Sequence, residues 1–383
     1  MEEINDHHRQ MEELRKLARK IAQERIAPHA SECDQNGRFP WESIHSLGDA
    51  QFPGIVLSED SGGADLGRVC FAAVVEEIAK ACASTALVFV SHASVAKAIE
   101  LAADEAIKKR WLPTMLTCRS LGAFAVHEPD SGSNAGAITT KAKRDGDFYV
   151  VNGSKFFITS AGEADVYLIL VKNDPEKGPQ GMSTLLVEKE TPGLSFSRPE
   201  DKMGLRGTSS RQMFFNDCRI PVQNRIGEEG EGMGVIGKSV VGWGFYGAAA
   251  ISVGIAKAAV EASVRHAKER TIADQPIGIH QAVQFMLSDM ILGSESTETY
   301  LSACAAKADA FPTTAPLNGF KAKLHASETA IEVTNKAIQV LGGHGYCRDY
   351  IVERLFRDAR GLTLHFKTSE WLRQDIAKAA LGL

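Results

Sequence analysis

The spacing of apolar residues changes twice along this sequence, and these changes limit the folds that the chain can adopt. Up to about residue 120, apolar residues recur at three- and four-residue steps, the pattern of amphipathic helices. The next hundred residues contain short apolar runs of strand length, and Asn152-Gly153 between two of them is a strong signal for a hairpin turn. Helical spacing then returns. The sequence predicts an α+β, mainly α fold with an N-terminal helical domain (1–120), a central β domain (121–228) and a C-terminal helical bundle (229–383).

The composition argues against several classes of protein. Of the 383 residues, 24% are charged and the net charge is −5, so the chain lacks the basic character of nucleic-acid-binding proteins. The N-terminus is charged and no run approaches eighteen apolar residues, which predicts a cytoplasmic protein without membrane insertion. Seven cysteines form no C-x-x-C pair, and eleven histidines form no H-x-x-x-H or H-E-x-x-H motif, so we expect reduced thiols and no metal site.

The segment from 341 to 371 has the organisation of a cofactor site. A Gly-Gly-His-Gly break follows a long apolar-striped helix, and a second amphipathic helix leads to Arg357-Asp358-Ala359 and then to the segment HFKTSE. Because glycine has no Cβ, the backbone amides at Gly342 and Gly343 can approach a ligand closely. A Gly-Gly pair after a helix is more commonly a C-cap, so this pattern alone indicates a cofactor only weakly.

The same segment resembles the C-terminal signature of the acyl-CoA dehydrogenase family, in which Q-x-x-G-G-x-G precedes R-D-A and then Y-E-G-T-S-E. Matching residues include Gln339, Gly342, Gly343, Thr368 and Glu370. The resemblance implies FAD as cofactor, an acyl-CoA substrate, an electron-transfer flavoprotein as partner, a barrel-like central β domain and a C-terminal four-helix bundle. It also implies that these five residues contribute to cofactor binding.

Two segments of the central part resemble flavin-contacting loops of the family. Residues 127–136, HEPDSGSNAG, are similar to T-E-P-x-x-G-S-D-x-G, and residues 157–160, FITS, are similar to W-I-T-N. Phenylalanine keeps an aromatic face where the family has tryptophan, although it lacks the indole N–H. The cofactor-binding residues that the resemblance implies here are Phe124, Val126, His127, Ser133, Phe157 and Thr159.

Further along, the resemblance implies contacts between subunits. The family pattern R-x-x-F-G-x-x-L/I-x-x-x-Q supplies an arginine and a glutamine to the FAD of a neighbouring subunit. Arg270 and Gln281 occupy those positions, whereas Ala273 and Asp274 replace the Phe-Gly pair. The expectation is a homo-oligomer, a tetramer in most of the family, with FAD at the subunit interface.

The sequence departs from the family at the catalytic base. The usual glutamate is Phe366, the alternative glutamate position is Gly244, and the neighbouring substrate-binding arginine is Phe245. A positioned base typically contributes about 10²–10⁴-fold to rate. Ordinary desaturation of a saturated thioester is therefore not the expected reaction.

One hypothesis moves the base to another residue. In a cyclic or already unsaturated acyl-CoA, the proton can leave a vinylogous carbon farther from the carbonyl, and His92 would then accept it, with His365 or His127 as less favoured choices. A lone histidine in an apolar helix is more commonly a core residue, but the family resemblance places this helix, with Ser91, at the acyl end of the pocket. An aromatic wall of Phe245, Tyr246 and Phe366 would suit a flat ring.

A second and a third hypothesis change the reaction itself. The fold and the flavin could serve an oxidase, a monooxygenase or an acyl-carrier-protein dehydrogenase, which the loss of arginine at Phe245 favours. The third hypothesis is a non-catalytic FAD-binding partner protein, because cofactor binding can also serve stability.

Overall fold

The computed structural model describes residues 2–383, with side chains from Arg9 onward. The N-terminal part is helical, and its helices are α1 (Glu2–Ile21), α2 (Ala27–Asn36), α3 (Trp41–Asp49), α4 (Gly67–Ala81), α5 (Ala83–Ala102) and α6 (Glu105–Leu116). Helix α5 is apolar on nearly every side and is buried along most of its length, which makes it the centre of this part. Helix α6 is capped by Asp104, whose side chain accepts a hydrogen bond from the amide of Ile107.

The central part is one mixed sheet. Its strands are β1 (Gly122–Ala125), β2 (Lys141–Asp145), β3 (Phe148–Ile158), β4 (Val166–Lys172), β5 (Met182–Glu188), β6 (Leu194–Phe196), β7 (Arg211–Pro221) and β8 (Arg225–Ile226). They pair in the order β6-β7-β3-β2-β4-β5-β8, and β1 pairs with β4 in parallel. Because β6 and β8 stand at the two ends of this order, the sheet is open and resembles a barrel only in part.

The hairpin predicted at Asn152-Gly153 is wrong. Both residues lie inside β3, where the register with β7 shifts between Val151 and Gly153 and forms a bulge. Gly153 has a φ of 141°, and a Cβ there would approach Thr140 at 2.7 Å. The positive φ of Gly153, which a hairpin turn would use, here serves the β-bulge.

The C-terminal part is again helical. Its elements are α7 (Gly232–Ile236), a π-helical stretch (Gly237–Gly244), α8 (Phe245–Glu269), the short strands β9 (Thr271–Ile272) and β10 (Gln275–Pro276), α9 (Gln281–Ala310), α10 (Ala315–Leu341), α11 (Ile351–Leu362) and α12 (Ser369–Leu381). Helix α10 packs against α8, α9, α11 and α12, and α8 also packs against α4 of the N-terminal part. The prediction of an α+β, mainly α fold is confirmed.

Two helices are long and apolar enough to cross a membrane. They are α5 and the continuous helix from Gly232 to Glu269, and both are mostly buried within the fold. Their apolar character is therefore explained by the core that they form.

Candidate active site

A cleft of about 270 Å³ opens where the central sheet meets the C-terminal helices. The β domain contributes Phe124, Val126, His127, Ser133, Asn134, Ala135 and Gly136, the helix from α7 to α8 contributes Met233, Ile236, Gly237, Val240, Val241 and Phe245, and Phe320, Phe366, Lys367 and Trp371 complete the lining. Four residues predicted to bind the cofactor thus lie on one side of this first cleft. Phe245 and Phe366, predicted to contact substrate, lie on the other.

A smaller second cleft adjoins the first. Its lining consists of Leu87, Ser91, Phe124, His127, Phe157, Ile158, Thr159, His365 and Phe366. Phe124, His127 and Phe366 line both clefts, so the two form neighbouring halves of one site. The second cleft brings Phe157 and Thr159 together with Ser91 and His365.

The loop that carries His127 and Ser133 is held by a buried ion pair. Glu128 is 4% exposed and accepts hydrogen bonds from the backbone amides of Thr139 and Thr140, at 2.6 and 3.0 Å. Lys155, which is fully buried, donates to Glu128 at 2.9 Å and to the carbonyl of Val126 at 3.2 Å. Burial alone would raise the pKa of Glu128, but Lys155 and these hydrogen bonds lower it to about 2. The loop that carries His127 and Ser133 is therefore held in place by the ion pair between Glu128 and Lys155 and by these hydrogen bonds.

The turn between α11 and α12 carries Phe366 in a strained conformation. Its φ is 62°, a region that a bulky side chain rarely occupies. Lys323, fully buried on α10, donates to the carbonyl of Lys367 at 2.7 Å, and the amide of Thr368 donates to Ser133 Oγ at 3.3 Å. These contacts tie the turn to both α10 and the β domain.

The ring of Phe366 fills the space at both positions to which the sequence resemblance assigns the family's base. A Cβ added to Gly244 would lie 2.5 Å from Cε1 of that ring. The ring centroid lies 5.6 Å from that of Phe124 and 5.5 Å from that of Phe245, which in turn lies 5.0 Å from Phe320. Among the described residues that line the two clefts, none is an aspartate or a glutamate.

The prediction of His92 as a catalytic base is wrong. Its side chain is fully buried and lines neither cleft. Nε2 lies 2.9 Å from the carbonyl of Met115, to which it donates, and Nδ1 accepts a hydrogen bond from the amide of Gly122 at 3.0 Å. Burial lowers the pKa of His92 to about 4. Both ring nitrogens of His92 are hydrogen-bonded to backbone groups, so His92 has a structural role in the core.

The prediction that Tyr246 lines the substrate pocket is also wrong. Tyr246 is fully buried, lines neither cleft, and donates its hydroxyl to the carbonyl of Ala315 at 2.7 Å. It therefore anchors α8 to the start of α10, and only its neighbour Phe245 reaches the first cleft.

His365 is the histidine whose ring geometry suits proton transfer in the second cleft. Its Nδ1 lies 2.9 Å from the carbonyl of Gly361, so this nitrogen carries the proton and Nε2 keeps its lone pair. Nε2 makes no hydrogen bond to any residue that the structure describes. Burial lowers the pKa of His365 to about 4. Burial and Lys155 likewise lower the pKa of His127, which lines both clefts.

The remaining predicted cofactor residues lie on the surface. Arg270, Gln281, Gln339, Gly342, Gly343 and Glu370 are exposed and line neither cleft. His266, one turn before Arg270, has its ring centroid 5.8 Å from that of His344, so the end of α8 meets the glycine-rich segment. A Cβ on Gly342 or Gly343 would meet nothing within 4 Å. This surface is open to a ligand or to a second subunit.

The arrangement of the clefts fits a flavin. Phe157 is 56% exposed beside the second cleft and has a φ of 53°, so an aromatic face is held bare in an unusual backbone conformation. Ser133 and Thr159 place hydroxyls in the adjoining clefts, and Thr368 contacts Ser133 through its amide. Phe157, Thr159, Ser133 and the glycine segment would hold the cofactor.

Several site residues escaped the sequence interpretation. Phe320, Lys367 and Trp371 line the first cleft, and Lys323 supports the turn from behind. A signal for Lys323 was present, because it falls on the small-residue face of α10 between Ala322 and Ala326, where a lysine must be buried. Burial lowers its pKa to about 7.

Comparison with known proteins matches this chain to one family along most of its length. Residues 8–119, 123–218 and 230–381 match the N-terminal, middle and C-terminal domains of acyl-CoA dehydrogenases. The chain is 38% identical over 91% of its length to the mitochondrial isobutyryl-CoA dehydrogenase of Dictyostelium discoideum, covering 83% of that protein. It is 37% identical over 96% of its length to the cyclohex-1-ene-1-carbonyl-CoA dehydrogenase of Syntrophus aciditrophicus, covering 89% of it.

A solved structure extends the comparison to three dimensions. The butyryl-CoA dehydrogenase of Megasphaera elsdenii superposes with a TM-score of 0.92 at 31% identity, over 97% of this chain and 98% of that one. Enzymes of this kind are FAD-dependent oxidoreductases that act on CH–CH bonds. With all three of its parts matched, this chain belongs to the acyl-CoA dehydrogenase family.

Proposed function

We propose that this protein dehydrogenates an acyl-CoA thioester whose acyl group is cyclic or already unsaturated. The observation that carries the proposal is the absence of a carboxylate from the described lining of the two clefts, together with the ring of Phe366 against Gly244. A saturated thioester offers only a weakly acidic α-proton, which needs a strong, positioned base. The similarity to an enzyme named for a cyclohexene thioester supports the same substrate class.

The residues of the second cleft define the proton transfer. FAD, when bound, supplies the acceptor for the hydride that leaves the acyl group. His365 Nε2 accepts the proton, while the hydrogen bond from Nδ1 to Gly361 fixes the ring and its tautomer. In an unsaturated acyl group, the electron pair left by a vinylogous proton is delocalised to the thioester oxygen, which makes that proton acidic enough for a histidine.

The aromatic residues of the first cleft orient the acyl group. The ring centroids of Phe124 and Phe245 lie 5.6 and 5.5 Å from that of Phe366, and the ring of Phe320 lies 5.0 Å from that of Phe245. Such surfaces pack well against a flat ring and keep water away from the reacting carbons.

The test is anaerobic reduction of the FAD-loaded protein, followed as loss of the yellow flavin absorbance. Cyclohex-1-ene-1-carbonyl-CoA or a 2-enoyl-CoA should bleach the flavin, whereas butyryl-CoA should do so at least about 100-fold more slowly. Equal rates with butyryl-CoA would reject the proposal. Rapid reoxidation of the reduced protein by O₂ would favour an oxidase or monooxygenase, and no bleaching by any thioester would favour a non-catalytic flavoprotein.

We also propose that the protein is a homotetramer and passes electrons to an electron-transfer flavoprotein. Ile279, just before α9, and Phe285 and Leu292, in the first half of α9, are 54%, 62% and 62% exposed, and exposed Gln281 lies between Ile279 and Phe285 in sequence. Exposed apolar surfaces of this kind commonly mark protein interfaces. A second subunit seated there would cover the apolar residues and bring Arg270 and Gln281 to an interface.

A further inference from the structure

The second cleft contains a polar atom that the fold leaves without a partner. Ser91 on α5 is 1% exposed, and its hydroxyl makes no hydrogen bond within the part of the chain that the structure describes. Buried hydroxyls are nearly always paired, because an unpaired one loses its hydration without compensation. Ser94 on the same helix shows the ordinary solution: its hydroxyl donates to the carbonyl of Val90 at 2.8 Å.

Ser91 stands at the deep end of the cleft. Leu87, one turn earlier on the same helix, is 2% exposed, whereas Phe157 on another wall is 56% exposed. Phe124 and Phe366 make the walls between them largely apolar. The unpaired hydroxyl of Ser91 is therefore a polar group on the buried side of this cleft, and Nε2 of His365 is a second polar atom there without a partner among the described residues.

The charges near His365 in the second cleft favour an electron-rich ligand atom. Burial is the main cause that lowers the pKa of His365, and Lys202 and Lys323 lower it further, so positive charge lies near this residue. Lys323 is fully buried, and its hydrogen bond goes to a backbone carbonyl. A cationic group would be repelled here, whereas an oxygen with available lone pairs would be attracted.

We propose that the deep end of the second cleft is a subsite for an oxygen atom on the acyl group, beyond the thioester, which accepts a hydrogen bond from the hydroxyl of Ser91. The substrate class is then a cyclic or unsaturated acyl thioester that carries a hydroxyl or a keto group. This inference rests on the proposed function, because an acyl group held between Phe124 and Phe366, which line both clefts, would extend from the first cleft into the second. A keto oxygen at this point would also acidify the neighbouring C–H bonds, which suits a histidine as proton acceptor.

The test compares matched thioesters on the oxidised, FAD-loaded protein. Cyclohexanecarbonyl-CoA and its 4-hydroxy and 4-oxo derivatives are titrated under anaerobic conditions, and binding is followed by the shift of the flavin absorbance spectrum. Wild-type protein should bind an oxygen-bearing ligand about 10-fold more tightly than the plain one, the usual gain from one buried hydrogen bond. Ser91→Ala should reduce that ratio to about 1, whereas Ser94→Ala, the matched control, should leave it unchanged.

The outcomes separate this inference from the proposed function. If no thioester perturbs or bleaches the flavin, the oxygen subsite and the proposed function are both rejected. If an alicyclic enoyl-CoA bleaches the flavin but plain and oxygen-bearing ligands bind equally, only the oxygen subsite is rejected. If Ser91→Ala shifts the flavin spectrum of the ligand-free protein, the hydroxyl serves FAD and the subsite is likewise rejected. Ser91→Ala removes no hydrogen bond seen in the structure, so the variant is expected to fold.

Discussion

The two sides of the active site are held in place by different interactions, a buried ion pair on one side and aromatic packing on the other. On the β-domain side, the loop with His127 and Ser133 is fixed by the buried Glu128–Lys155 pair and by backbone amides. On the opposite side, Phe366 sits on a strained turn and is held by packing against neighbouring rings. Charges that are buried and fully bonded tolerate little change, whereas a packed wall can exchange a carboxylate for a ring. We therefore expect the cofactor side, called the conservative side below, to tolerate fewer substitutions than the reacting side, called the variable side.

The largest effect on activity is expected from replacing His365, the base assigned to the variable side. Replacing His365 with glutamine removes the Nε2 lone pair from the second cleft and should slow anaerobic flavin bleaching by an alicyclic enoyl-CoA about 10²–10⁴-fold. Stopped-flow absorbance measures the rate, and His45→Gln, at an exposed histidine, is the control. A bleaching rate within about threefold of wild type would remove His365 from the mechanism.

Substitutions on the conservative side should mainly lower the free energy of unfolding. Glu128→Ala leaves the ammonium of Lys155 buried without its partner and should lower the free energy of unfolding by about 3–5 kcal/mol, measured by urea titration. The matched control is Asp145→Ala, which breaks an exposed pair with Arg219 and should cost less than about 1 kcal/mol. Equal losses in the two variants would show that the buried pair is not what holds this side together.

The same carboxylate predicts a direction of acid sensitivity. The pKa of Glu128 is about 2 in the folded protein and near its ordinary value of about 4.3 when unfolded, so the folded state binds the proton less readily. Its contribution to stability is fully present above about pH 4.5 and is lost as the pH falls toward 2. Urea titrations across this range should show a steeper loss in wild type than in Glu128→Gln.

A smaller effect on stability is expected when the packing around the ring of Phe366 is changed. Gly244→Ala places a methyl against the ring of Phe366 and should cost about 1–3 kcal/mol, although alanine otherwise favours a helix over glycine. In a Phe366→Ala background the same change should become neutral or stabilising. A double-mutant cycle measures the coupling, and simple additivity would contradict the shared volume.

The smallest effect on stability is expected at the proposed subunit surface. Phe285→Asp changes a 62% exposed side chain and should alter the free energy of unfolding of the single chain by under about 0.5 kcal/mol. Sedimentation analysis should nevertheless show dissociation of the tetramer. Phe311→Asp, a 61% exposed phenylalanine just beyond the far end of α9, should leave the assembly intact.

The difference between the two sides also explains what the sequence could predict. Motif residues such as His127, Ser133 and Thr159 reach the clefts because their loops keep the family spacing. The error at His92 arose because its partners are backbone groups of Met115 and Gly122, 23 and 30 residues away, which no local pattern reveals. The meeting of Phe366 with Gly244 is likewise a product of tertiary packing.

The π-helical stretch Gly237–Gly244 has a consequence for the shape of the first cleft. Its wider turns let Val240, Val241 and Phe245 all face the first cleft, a set that a regular α-helix would spread farther around its axis. Inserting or deleting one residue within this stretch would rotate every later side chain by about 100° while the apolar composition stayed the same. The length of this stretch, as much as the identity of its residues, thus determines which side chains line the first cleft.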